Sequence, residues 1–124
     1  MLGEKKLKAF VPTTNGARAK WFYQDQLGLK LVSAYNYALE FDVNGVPLRV
    51  TPVTSLYVQP FTVLGWNVED IDSTIRTLNQ KNIYCERYDS LQQDGLGVWI
   101  SPAGHKIAWF KDPDGNILSL TQLT

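Results

Sequence analysis

The chain is predicted to be α+β, built from two βαβββ modules whose curved mixed sheets enclose a cleft, each with one helix on its outer face. Three observations predict it. A strand-period segment is followed by a helix-period segment with a capping residue at its start, and this happens twice, at Asn15 and Asp70. Each helix is followed by extended segments. Each half ends on a hairpin whose turn glycine, Gly45 or Gly115, stands at the corresponding place.

In order, "KKLKAFVP" at 5–12 alternates with Leu7, Ala9 and Val11 on one face and Lys8, Phe10 and Pro12 on the other, which is a strand. "PTTNG" stops it, Asn15 caps a helix over 16–26 that repeats Ala19, Phe22 and Tyr23 on one face, and Leu27-Gly28 ends the helix. Strands follow at 29–35, 37–43 and 46–53, the last two joined by Asn44-Gly45. The second half gives a strand at 61–68, a helix over 69–82 capped near Asp70, and extended segments at 83–90, 97–102, 105–112 and 116–123. Laid together, Asn15 falls on Asp70, Phe22 and Tyr23 on Thr77 and Leu78, and Gly45 on Gly115, with the extra residues of the second half between its helix and its last hairpin.

A chain of 124 residues makes one domain, 1–124, with internal modules at about 5–53 and 61–124. With 44% hydrophobic and 19% charged residues it is globular, and its twelve basic residues balance twelve acidic ones, which argues against a nucleic-acid partner. The beginning of the sequence has no signal-like apolar run and no later stretch approaches the roughly twenty apolar residues of a membrane span, so a cytoplasmic location without a membrane partner is expected. The single cysteine, Cys85, excludes an internal disulfide and reads as an inert thiol in an apolar stretch.

"RAKWFYQDQLGLKL" at 18–31 and "FKDPDGNILSL" at 110–120 resemble the first helix and the final hairpin of the vicinal oxygen chelate superfamily, which includes glyoxalase I, fosfomycin resistance proteins, extradiol dioxygenases and bleomycin resistance proteins. The order of elements is similar over nearly the whole chain. The resemblance implies a homodimer, and a cleft that in metal-using members holds an ion on ligands from the first and last strands of each module. Carried over, those places fall on Lys8, Arg49, Val63 and Ser119. Arg49 and Ser119 each lie four residues beyond their hairpin glycine, and Lys8 and Val63 each lie seven before their helix cap. None is a usual ligand, and an ion between Lys8 and Arg49 would meet like charge, so no metal cofactor is expected.

Alternation puts Leu7, Ala9, Val11, Leu64, Trp66, Leu118 and Leu120 against the helices. It puts Lys8, Phe10, Pro47, Arg49, Thr51, Val63, Gly65, Asn67, Ile117, Ser119 and Thr121 on the cleft face, joined by His105, Ile107 and Trp109. Lys8 and Arg49 either fix a carboxylate or phosphate, pair with Glu40 or Glu86, or reach water. Trp109, Phe10 and Tyr35 either stack on a flat ligand or belong to the core. Asp112 and Asp114 are read as turn chemistry rather than as a metal or acid–base pair. Segments 53–60 and 89–95 read as loops able to cover the cleft, the latter mobile, and Leu56 and Tyr57 alternatively as a dimer contact.

The expected function is a glyoxalase- and bleomycin-resistance-like protein that binds a small organic molecule, anionic or aromatic, in its cleft. The expected ligand-binding residues are Lys8, Phe10, Arg49, Asn67, His105, Trp109 and Ser119. The alternative is a lyase or dioxygenase with an unconventional site around His105, the only histidine, either as an acid–base catalyst or as a metal ligand together with Glu40 or Glu86.

Overall fold

A short segment of alternating polarity can bury one side only when something apolar lies across it, and each half of this chain supplies one helix for that purpose. The computed structural model describes residues 1–36 and 38–124; the expected strand at 37–43 therefore begins at Tyr37, outside the described residues. The chain divides into two units, Met1–Val58 and Gln59–Thr124.

The first unit contains β1 (Ala9–Thr13), α1 (Gly16–Lys20), β2 (Lys30–Tyr35), β3 (Ala38–Val43) and β4 (Val46–Pro52). Its sheet runs β1-β4-β3-β2, with β1 parallel to β4 and the remaining pairs antiparallel. The Asn15 side chain accepts a hydrogen bond from the Arg18 amide at 3.0 Å, capping α1 as expected. Beyond Lys20 the helix continues over Trp21–Gln26 with wider, π-type winding, shown by the bond from Leu27 N–H to Phe22 C=O. The consecutive aromatic residues Phe22 and Tyr23 are both buried there, and Gly28, at φ +76°, ends the helix. The core below consists of Val11, Leu39, Phe41, Leu48 and Val50, with Tyr23 and Phe41 rings 6.3 Å apart.

The second unit contains β5 (Thr62–Asn67), α2 (Ile71–Gln80), β6 (Trp99–Ile100), β7 (Lys106–Lys111) and β8 (Ile117–Gln122), in the sheet order β5-β8-β7-β6. Asp70 caps α2 by accepting from the Ser73 amide at 3.0 Å, and Ile71, Ile75 and Leu78 face inward. Ala108, Phe110, Leu118 and Leu120 complete this core, and Trp66 stacks on Phe110 at 6.4 Å, on the helix side as expected.

The duplication is visible in matching registers. Phe10 is opposite Arg49 across the parallel pair of the first sheet, and Gly65 is opposite Ser119 across that of the second. The two hairpins share a device: Asp42 Oδ1 accepts from Gly45 N–H at 2.8 Å, and Asp112 Oδ1 accepts from Asp114 and Asn116 N–H at 3.0 and 2.9 Å. Asn44 and Gly45 both take positive φ, 50° and 87°, the conformation a two-residue hairpin turn requires, and Gly115 takes φ 92°. Asp112 Oδ2 also accepts from Asn116 Nδ2 at 2.8 Å, so both oxygens of this buried carboxylate brace the turn.

Four expectations are corrected. Leu7 precedes β1 and is 76% exposed, because the strand starts only at Ala9. Residues 83–90 are not a strand: they make one ladder-like bond, Glu86 N–H to Trp109 C=O at 2.7 Å, and then turn away. Gln93 draws that segment inward by donating through Nε2 to Glu86 and Gly97 C=O and accepting from Tyr88 N–H, so 89–95 is tied down rather than loose. Ile117, expected on the open side, is buried; the neighbouring register shift between Thr62 and Leu64 interrupts simple alternation at that end of the sheet.

The caps are separable from the cores. Asn15→Ala and Asp70→Ala are each expected to cost about 1 kcal/mol in urea denaturation, with additive effects in the double variant because the caps serve different helices.

Candidate functional site

On the face of the first sheet opposite α1, β3 presents Glu40 directly across from Arg49 of β4. Arg49 Nη1 donates to Glu40 Oε1 at 2.7 Å, and Lys8 Nζ lies 3.5 Å from Glu40 Oε2, so one carboxylate holds both cations. The hydrogen bond from Arg49 keeps the Glu40 carboxyl below its ordinary pKa; burial opposes this and the nearby Lys8 ammonium reinforces it. The same ammonium lies 5.7 Å from the ring centroid of Phe10, a residue that is 58% exposed. Of the alternatives left by the sequence, pairing with Glu40 is the one found; Glu86 instead pairs with Lys111 at 3.2 Å. Beside the triad lies a depression of about 510 Å³ lined by Ser33, Tyr35, Asn36, Ala38, Glu40, Arg49, Thr51 and Pro52.

The corresponding face of the second sheet is aromatic, with the Lys111–Glu86 pair beside its rings. Trp109 is opposite Ser119, with the Tyr88 ring edge-on at 5.6 Å and the Trp99 ring tilted at 6.0 Å. Tyr88 reaches Trp109 from the irregular 83–90 segment, and Trp99 from the short strand β6. Neither was singled out in the sequence, although the apolar and aromatic alternation of "GVWISP" carried a signal for Trp99. Tyr35, by contrast, is 77% exposed.

Gly65 leaves room on this second face for Ser119. A Cβ at Gly65 would lie 2.5 Å from Ser119 Oγ, so the hydroxyl occupies the volume that any other residue at 65 would fill. Asn67, two residues along β5, is opposite Thr121 at the exposed end of the same pair.

His105 stands just before β7, at the end of the sheet. Its ring Nδ1 accepts from Thr124 N–H at 3.3 Å, and its backbone N–H donates to Ser101 Oγ at 3.1 Å. Cys85 is packed with its Cβ 2.7 Å from where a Cβ of Gly97 would be, and burial, then Asp94 and Glu86, push its thiol up to about 11, which makes it a poor nucleophile at neutral pH.

These features define a class first: two βαβββ units, each with one face covered by a helix and the other carrying polar and aromatic side chains. The chain belongs to the Glyoxalase/Bleomycin resistance protein/Dioxygenase superfamily, whose model matches residues 7–120. No curated protein matches it significantly. Among solved structures it is similar to a lactoylglutathione lyase from Agrobacterium tumefaciens, at 15% identity and TM-score 0.75, covering 96% of this chain and 93% of that one. It is also similar to a genomically encoded fosfomycin resistance protein from Listeria monocytogenes, at 10% identity and TM-score 0.75, covering 98% and 94%. A glyoxalase/bleomycin resistance protein/dioxygenase from Alicyclobacillus acidocaldarius matches at 21% identity and TM-score 0.69, covering 96% and 91%. At these identities the likeness is one of fold.

The four places where the resemblance puts metal ligands carry Lys8, Arg49, Val63 and Ser119, and this set does not suit a divalent cation. Two are cations held on a shared carboxylate, one is a hydrocarbon, and one is a neutral hydroxyl. Among the described residues no three His, Cys, Asp or Glu side chains are grouped to hold an ion. No helix there is long and apolar enough to cross a membrane.

The packing of Gly65 gives a direct test. Gly65→Ala is expected to lose about 1–2 kcal/mol of unfolding free energy, and Gly65→Ala combined with Ser119→Ala to recover much of it, since the clashing oxygen is gone. Chemical denaturation of the four-member cycle measures this coupling.

Proposed function

We propose that this protein is a metal-independent member of its superfamily that binds a small organic molecule, anionic or aromatic, on the open faces of its sheets. The observation that carries the reading is Glu40 bridging Lys8 and Arg49 where a metal-using relative would present ion ligands. A cation pair repels a divalent ion and attracts oxygen anions, so the substitution reverses what that face can recognise. The Trp109, Trp99 and Tyr88 rings support an aromatic ligand on the second sheet, with Ser119 and Asn67 as hydrogen-bonding groups beside them.

In this reading Lys8, Phe10, Arg49, Asn67, Trp109 and Ser119 contact ligand, and His105, bound to the Thr124 amide, contributes at the margin. The role is binding or sequestration, in a cytoplasmic homodimer. Gly65 and the Ser119 hydroxyl beside large rings offer the close approach that a flat ligand needs.

Native mass spectrometry of the untagged protein tests this in one experiment. The expected spectrum is a dimer without stoichiometric divalent metal, carrying a displaceable organic adduct. Stoichiometric metal that is lost in His105→Ala would overturn the proposal in favour of a metal-dependent enzyme.

A further inference from the structure

The depression in the first unit combines features that narrow the ligand class, an inference that rests on the metal-independent reading above. Glu40 and Arg49 line the depression, and Lys8, outside that lining but 3.5 Å from the Glu40 carboxylate, brings the triad to a single positive charge. The guanidinium of Arg49 is held by Glu40 through Nη1, which uses one of its five N–H donors and fixes the orientation of the rest. Ser33 and Thr51 belong to the same lining, as do Tyr35 and Pro52.

We propose that this depression is a monocarboxylate site, with Glu40 acting as a resident carboxylate that organises the cations and excludes more highly charged anions. A carboxylate ligand brings one negative charge against the net positive charge that the triad holds once Lys8 beside the depression is counted, and its planar pair of oxygens matches the guanidinium fork. A phosphomonoester brings about −1.5 to −2 at pH 7, and the surplus would face Glu40. A neutral amide of the same shape has no charge to meet. The apolar lining and the volume of about 510 Å³ favour a carboxylate attached to a compact hydrocarbon or aromatic body rather than a bare ion.

Glu40 is half-buried rather than part of either core, and the exposed character of the triad means that its replacement should leave the fold intact. It can therefore be tested as a selectivity residue by titrating the full-length, isotope-labelled protein with benzoate, benzamide and phenyl phosphate. The readouts are the backbone amide shifts of Ser33 and Thr51 and the Arg49 Nε–H shift. Benzoate is expected to bind about tenfold more tightly than benzamide, a difference of one charge-assisted contact, and more tightly than phenyl phosphate. Arg49→Ala removes the preference for benzoate over benzamide. Glu40→Gln strengthens phenyl phosphate by about tenfold and reduces or reverses its disadvantage.

Equal binding of benzoate and benzamide, stronger binding of phenyl phosphate to the unaltered protein, no shift with benzoate at millimolar concentration, or no effect of Glu40→Gln on phenyl phosphate would each overturn the inference. Equal binding of the neutral and charged probes with shifts at Trp109 instead would leave the broader proposal standing. Copurifying metal would remove the broader proposal by a separate readout.

Discussion

A four-stranded sheet with a single helix can bury only one of its faces, and that constraint organises each half of this protein. In the first unit α1 lies against β3 and β4, and Tyr23 of the π-wound turn that follows it meets Phe41; in the second α2 lies against β8, which buries Leu118 and Leu120. Each fully buried large apolar side chain contributes on the order of 1.5–3 kcal/mol, whereas an exposed ion pair contributes about 0–1 kcal/mol. The cores therefore hold the fold, and the side chains of the opposite faces are free to differ between modules. They do differ: the pair Glu40 and Arg49 in one register corresponds to Trp109 and Ser119 in the other.

That divergence gives the two units distinct chemistry from one plan. On the first face Lys8 and Arg49 share the Glu40 carboxylate, so the charges are mutually satisfied but not fully cancelled. On the second, Gly65 leaves room for the Ser119 hydroxyl, and aromatic rings stand beside it. Superfamily membership establishes the common frame; the chemistry rests on these residues and not on the frame.

Most of the frame was legible because it depends on local rules. Asn15 and Asp70 are good caps, Asn44-Gly45 can adopt a turn closed to most pairs, and the separation of Lys8 from its cap and of Arg49 from its glycine fixes which face each occupies. The pairing of Glu40 with Arg49 was one of several partners open to them, since cross-strand register decides it and sequence spacing alone does not. Residues 83–90 misled for a related reason. Their alternation suits a strand, but the Gln93 side chain takes up backbone groups at Glu86 and Tyr88 that a ladder would have used, and it is this irregular course that brings Tyr88 to Trp109. Leu7 shows the limit of alternation itself, which assigns a face but not whether anything covers it.

The central claim is that Glu40 is a charged bridge between Lys8 and Arg49, and the proton affinity of its side chain reports this most directly. The group has a lowered pKa in the folded protein, so its stabilising effect is present above the pKa of the unfolded chain and is lost as pH falls through the folded value. Carboxyl-carbon NMR of selectively labelled protein is expected to show Glu40 titrating below the ordinary glutamate range, and returning toward it in Arg49→Ala. An ordinary titration in the unaltered protein, indifferent to Arg49, would contradict the account.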